Sequence, residues 1–296
     1  MQLNFIQSHP VSDNLSEYVS NGLLTQDGIE AFKKLIYDYY SIYKRIFAWR
    51  DCDNPYFVVV SEIMLQQTQT DRVKEKYQQF IQTFPTLESL AEASVRDVIT
   101  AWQGLGYNRR GLALQAFAQR VVSEFGGSIP TNPVVLETFK GIGPATAASI
   151  CAFAFNQSSV FIETNIRAVF IHCFFKDQEQ VSDKVLMPLI EQTVDVLNAR
   201  QWYYALMDYG VMLKKLHKNP SRKSAHYTVQ SKFEGSDRQI RGLILKMLVE
   251  HETLNYTDLC NLVQREPERI ILQLAQLIKE CFVEEKAPTI YRLVLK

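Results

Sequence analysis

From Ile29 to Trp49, apolar and aromatic residues recur three or four positions apart, at Phe32, Leu35, Ile36, Tyr39, Tyr40 and Tyr43. That spacing predicts one long amphipathic helix. The same period returns in Tyr56–Gln67, Arg72–Thr83, Thr86–Ala91, Val95–Thr100, Arg109–Phe125, Pro133–Phe139, Ala145–Phe155, Asn165–Phe174 and Leu186–Val196. The links between them are short and carry Pro, Gly, Asn or Ser, as helix–helix connections do. No alternating strand pattern precedes residue 280, so the region up to about residue 215 reads as all-α. Residues 1–28 show little periodicity and read as an N-terminal extension.

Lys214–Lys223, K-K-L-H-K-N-P-S-R-K, is a basic run without apolar periodicity and is expected to be an exposed loop. After it come three helical patterns, Arg238–Glu250, Tyr256–Val263 and Glu266–Glu280. Two short β-rich stretches follow, Cys281–Glu284 and Ile290–Leu295, joined at Glu285–Pro288. Three helices and a hairpin are the order of a winged helix, a variant of the helix-turn-helix; a small helical interaction domain is the other reading. The expected fold class is therefore mainly α, with an extension at 1–28, a helical core at 29–235 and a winged-helix-like domain at 236–296.

Composition narrows the function classes. The 296 residues are 47% hydrophobic and 22% charged, ordinary for a soluble globular protein of two or three units. No apolar run is long enough to span a bilayer, and the N-terminal residues are polar and mixed. Neither a membrane span nor a signal peptide is expected, and the expected location is cytoplasmic, nucleoid-associated in a bacterium. Net charge is zero, so any contact with nucleic acid has to come from a local face. Cys52, Cys151, Cys173, Cys260 and Cys281 are scattered without metal-ligand spacing and are expected to be buried, reduced thiols.

Candidate chemistry concentrates in two places. Phe139–Glu163 carries a Gly-Ile-Gly turn ahead of a small-residue helix, with a carboxylate some twenty residues on. Such a turn places backbone N–H groups at a helix N-terminus, where phosphate binds; a plain helix–helix connection looks the same in sequence. Glu62 sits among Val58, Val59, Val60, Ile63, Met64 and Leu65. Burial would raise its pKa and suit a general acid, unless it points out of the helix or pairs with an arginine. Glu163 is either a partner carboxylate or the cap of the helix that begins at Thr164–Asn165. Paired carboxylates cleave glycosidic bonds by protonating the leaving group and stabilising the sugar cation. Gln66, Gln67, Tyr107, Arg109 and Arg110 lie on turns or helix ends, where amide and aromatic side chains can fill or open a base stack, or simply face water.

The stretch N-P-Y-F-V-V-V-S-E-I-M-L-Q-Q-T-Q-T closely resembles the catalytic helix of MutY-type adenine DNA glycosylases. W-Q-G-L-G-Y-N-R-R, K-G-I-G-P-A-T-A-A-S-I, E-T-N-I-R-A-V and A-L-M-D-Y-G resemble further segments of that family, in order and spacing, from about residue 33 to 213. The resemblance places the chain in the helix-hairpin-helix glycosylase superfamily. It implies a two-lobed helical fold, with a six-helix module at about 54–168 and a second lobe from 29–53 and 169–235. By the same resemblance Glu62 protonates the leaving base and Glu163 stabilises the sugar cation. Gln67 and Tyr107 match residues that contact the base stack, with Gln66 beside them a further candidate from its place on the turn, and Asn165 supports the site. Gly141 and Gly143 hold the DNA backbone, with a possible monovalent cation at the hairpin 139–143. Lys140, Arg109, Arg110, Lys214, Lys215, Lys218, Arg222 and Lys223 are the expected phosphate contacts. The implied protein is a monomeric, monofunctional DNA glycosylase of base excision repair, acting on duplex DNA with a lesion or mismatch. Adenine is its expected base; a mispaired or damaged pyrimidine, or an inactive structure-specific DNA binder, are the alternatives.

The departures from the family pattern are as informative. Glu163 replaces an aspartate and is one methylene longer. Ala145 stands where the lyases of the superfamily carry a lysine nucleophile, so no Schiff base is expected at this position. No cysteine lies between Cys173 and Cys260, where the relatives hold an iron–sulfur cluster, so no cluster and no side-chain metal site is expected. The relatives' Nudix-like domain is not recognisable in the residues after Asp237.

Overall fold

A computed structural model describes residues 14–50 and 52–294; residues 1–13 of the expected extension lie outside the described residues. In chain order the first helices are α1 (Gln26–Tyr43), α2 (Pro55–Leu65), α3 (Thr70–Thr83), α4 (Leu87–Glu92), α5 (Val95–Trp102), α6 (Arg109–Phe125) and α7 (Pro133–Leu136). They are followed by α8 (Pro144–Phe155), α9 (Thr164–Phe174), α10 (Asp183–Thr193), α11 (Ala199–Leu216), α12 (Asp237–Glu250), α13 (Tyr256–Val263) and α14 (Pro267–Lys279). The chain is mainly α, as its periodicity requires, and it separates into two compact units. None of the helices among the described residues is long and apolar enough to cross a membrane.

One unit comprises the described residues up to Val58 together with Thr131–Glu137 and Ile142–Val229. A 3-10 turn at Ser16–Tyr18 leads into a minimal hairpin, β1 (Val19–Ser20) with β2 (Leu23–Leu24), inside the expected extension. Helix α1 starts at Gln26 rather than Ile29 because the Thr25 side chain accepts from the Gly28 N–H and caps the first turn. It stops at Tyr43 rather than Trp49; the following residues turn back so that Arg45 and Arg50 reach Asp208 of α11. Its apolar stripe builds the core. Phe32 meets Phe170 and Phe174 of α9 and Trp202 of α11 edge-on, at 5.1, 4.9 and 5.7 Å between ring centres.

After α11 a short 3-10 helix, Pro220–Lys223, begins with the Asn219 side chain accepting from the Ser221 N–H. Val181 N–H donates to the Lys223 carbonyl at 2.9 Å and Ala225 N–H to the Val181 carbonyl at 3.0 Å. The expected loop is thus ordered by backbone pairing, and the helix before it runs on to Leu216, through the first two lysines of the run.

The other unit comprises Val59–Pro130, Thr138–Gly141 and the chain from Gln230. Helices α3 to α6 close over Val73, Phe80, Val98, Trp102, Leu114, Phe117 and Val121, all almost fully buried. The C-terminal residues form three helices and an antiparallel sheet in the order β3 (Thr253–Asn255), β5 (Ile290–Leu293), β4 (Val283–Ala287). Strand β3 has no sequence pattern because three residues carry no readable alternation. Strand β4 extends through Glu285–Ala287, which were expected in the turn. This segment does not stand alone. Ile99 of α5 belongs to the same buried cluster as Ile240, Ile244, Leu248, Leu274 and Leu293. Arg96 of α5 also donates to the Val249 carbonyl at 2.9 Å. The segment after residue 236 thus shares a buried core with α5, while residues 225–235, which lead into it, are exposed.

Cysteine burial is only partly as expected: Cys151 and Cys173 are buried, Cys52 and Cys260 are half-buried, and Cys281 is exposed.

Candidate active site

Glu163 belongs to the first unit and stands immediately before α9 as its N-cap. One carboxylate oxygen accepts from the backbone N–H groups of Asn165 and Ile166 at 2.8 and 3.0 Å. The other accepts from the Asn165 side-chain amide at 3.2 Å. The capping role and the proposed catalytic role thus fall on one side chain. Three N–H donors and the positive end of a helix hold a half-buried anion in one orientation.

Asn165 is fixed from two sides. A Cβ on Gly210 of α11 would lie 2.6 Å from the Asn165 carbonyl oxygen, so only glycine lets the helices approach this closely. Lys214 Nζ, one turn further along α11, donates to Asn165 Oδ1 at 2.9 Å. Burial lowers the Lys214 pKa below the ordinary lysine value, against the attraction of Glu163. The expected phosphate contact at Lys214 is therefore corrected: the side chain is half-buried and bonded beside Glu163.

Glu62 belongs to the second unit and is half-buried on α2. The turn that ends this helix is held by Arg110, which donates to the carbonyls of Ile63 at 2.9 Å and Met64 at 3.0 Å, and to that of Gln66. The same guanidinium bonds Thr68 Oγ1 at 2.9 Å and the Gly106 carbonyl at 3.1 Å. It ties the turn after α2 to the turn before α6, and burial draws its pKa down to about 10. Arg110 is therefore a structural clamp of the fold, in correction of the expected phosphate contact.

Each of the two clamped turns carries a side chain expected to contact bases. Gln67 has φ 55° and is exposed; Tyr107 has φ 48° and is exposed as well. Left-handed backbone at two non-glycine residues is strain that the Arg110 clamp maintains. The Tyr107 hydroxyl accepts from Gln230 at 2.6 Å and Arg238 at 2.5 Å, two residues that sequence reasoning missed. Gln66 points elsewhere: its amide donates to the Gly141 carbonyl at 3.2 Å.

At the hairpin turn Gly141 has φ +86° and would push a Cβ to 3.2 Å from that of Ala113. Gly143 caps α8 and faces open space, and Lys140 and Ala145 are exposed. The first-turn N–H groups of α8 have no acceptor within the helix. Lys215, Lys218 and Arg222 are exposed, whereas Lys223 donates to the Lys176 carbonyl at 2.6 Å and pairs with Glu179 at 3.2 Å. Arg109 pairs with Glu280 while 61% of its side chain stays exposed. The segment after α11 offers hydroxyls, amides, ammonium and guanidinium groups, the Glu234 carboxylate and the imidazoles of His217 and His226, and no thiolate. It does not fit an iron–sulfur cluster, and no chemistry is routed through one.

Residues 60–192 match the HhH-GPD superfamily of base excision DNA repair proteins. The chain is 35% identical over 194 residues to an adenine DNA glycosylase of Homo sapiens, covering 62% of this chain and 36% of that protein. It is 33% identical over 227 residues to an adenine DNA glycosylase of Mus musculus, covering 72% of this chain and 43% of that protein. An adenine DNA glycosylase of Buchnera aphidicola is 30% identical over 176 residues, 59% of this chain and 50% of its own length. The chain thus spans half or less of these curated relatives. The solved structure of a thermostable thymine-DNA glycosylase covers 62% of the chain with a TM-score of 0.54 at 23% identity, which places the fold.

Proposed function

We propose that the chain is a monofunctional DNA glycosylase of base excision repair that acts as a monomer on duplex DNA. It flips one base out of the stack and hydrolyses its N-glycosidic bond. The observation that carries this reading is the Glu163 carboxylate, immobilised by three N–H donors at a helix N-terminus within the superfamily match. A carboxylate held this way needs no reorganisation when positive charge develops on a sugar. Glu62 delivers a proton to the departing base, and water completes the substitution, since Ala145 offers no amine. Adenine in a mismatch is the favoured base, supported by the adenine DNA glycosylases among the relatives and by the benefit of protonating a purine leaving group. Lys140, Gly141, Gly143, Lys215, Lys218 and Arg222 supply backbone contacts in this scheme. A monovalent cation at the hairpin 139–143 belongs to the same proposal, and exchange of potassium for lithium tests it through DNA affinity.

The test is a panel of duplexes carrying 8-oxoguanine:adenine, guanine:adenine, uracil, thymine mismatches and hypoxanthine. Release of adenine by the wild type and binding without cleavage by Glu62→Gln support the reading. Near-native turnover by Glu62→Gln overturns the acid assignment, excision of pyrimidines alone overturns the substrate, and salt-sensitive binding without any product leaves only a DNA-binding protein.

A further inference from the structure

One lysine of the basic run differs from its neighbours. Lys215 and Lys218 face solvent, while Lys214 is half-buried in the last turn of α11. Its Nζ lies 2.9 Å from Asn165 Oδ1, and the far end of the same amide donates to Glu163 Oε2 at 3.2 Å. Amine, amide and carboxylate form one chain of hydrogen bonds.

The chain has a direction. An asparagine amide has unlike ends: an oxygen that only accepts and a nitrogen that only donates. Rotated by half a turn, it would set its oxygen against the Glu163 carboxylate. Lys214 only donates, so it is satisfied only by the oxygen end, and its presence turns the nitrogen end toward Glu163. The other charge that acts on this amine, Arg167, is itself bound to Asp183 through two contacts of 2.8 Å, which leaves Lys214 as the donor to the amide oxygen. Burial makes the arrangement demanding, because a half-buried amine without an acceptor costs more than one in water.

We propose that Lys214 is a positioning residue for base excision: it fixes the orientation of the Asn165 amide, and through it the geometry of the Glu163 carboxylate. This rests on the glycosylase reading above. Lys214 then acts on the rate of excision and not on phosphate affinity, although it opens a run of basic residues.

The test uses the full chain with Lys214→Met, Lys214→Arg, Asn165→Ala and the Asn165→Ala/Lys214→Met double variant. Single-turnover excision, DNA affinity over a salt series and denaturant midpoint are read for each. Lys214→Met is expected to excise about tenfold to a hundredfold more slowly at saturating enzyme, with affinity and salt slope unchanged. Lys214→Arg, which also only donates, recovers most of the rate, and Lys214→Met adds no loss once Asn165 is alanine. A wild-type rate in Lys214→Met overturns the proposal, as does an arginine variant no faster than the methionine one, or full additivity with Asn165→Ala. Weaker binding with a salt slope reduced by about one marks a phosphate contact and overturns it too. If the wild type excises nothing, the glycosylase reading fails. The pairing is then decided by the same cycle in denaturant stability, where coupling supports it and additivity overturns it.

Discussion

Gly210 packs its Cα against the Asn165 backbone so closely that a methyl group there would lie 2.6 Å from the Asn165 carbonyl oxygen and 2.8 Å from its Cβ. Both obstacles belong to the first turn of α9, the turn that holds Glu163, so relief requires a helix to shift. Gly210→Ala is expected to lose about 1–3 kcal/mol of stability, the range for overpacking a tight contact. Excision should fall by more than stability explains, because the shift moves Asn165. Denaturant unfolding and single-turnover rates on the same preparation check this.

Asp208 is 1% exposed and accepts from four donors: Arg45 N and Nε at 2.8 and 2.6 Å, and both terminal nitrogens of Arg50 at 2.9 and 2.8 Å. The Arg50 side chain is 6% exposed. Asp208→Ala leaves that guanidinium buried without its anion, and about 3–5 kcal/mol of stability should be lost. Urea unfolding of the wild type and the variant measures the difference.

Glu280 accepts from Arg109, Gln276 and Arg241. Burial alone would raise its pKa, but these donors outweigh burial and bring it to about 2, from an ordinary 4.5. A carboxylate depressed in the folded state stabilises fully above about 4.5 and loses that contribution as the pH falls toward about 2. The wild type should exceed Glu280→Gln by about 1 kcal/mol at neutral pH, given the partial exposure of the pairs. The gap should close between those limits, as followed by denaturant midpoints across an acid series.

Gln67 holds left-handed backbone, φ 55°, at the end of the Glu62 helix. Glycine adopts that conformation without the Cβ conflict, so Gln67→Gly should be at least as stable as the wild type, gaining up to about 1 kcal/mol. Excision should nevertheless drop about tenfold if the side chain enters the base stack. A stabilised variant with unaltered excision would remove Gln67 from the site.

Much of this protein was legible in its sequence. The helical period drew most helices of both units, because a 3.6-residue repeat is a local property that survives in the linear chain. Phe32, Leu35, Ile36 and Tyr39 were readable as one face before any partner was known. The stretches around Glu62, Gly141–Gly143 and Glu163 stood out as candidate chemistry, and their resemblance to a glycosylase family, rather than the residue types alone, pointed to glycosidic bonds. The tertiary structure decided which charges remain available. Arg110 and Lys214 looked like solvent-facing cations, since charge alone does not state burial. Only packing shows that Arg110 closes two turns and that Lys214 bonds Asn165 beside Glu163. Nothing in the sequence pattern marked Lys214, which was expected at the start of an exposed loop; the structure sets it on α11, one turn after Gly210. The C-terminal segment was likewise readable as three helices and a hairpin, but not as part of a larger unit. That depended on Ile99, whose apolar side chain looks the same in sequence whether it completes its own core or a neighbour's.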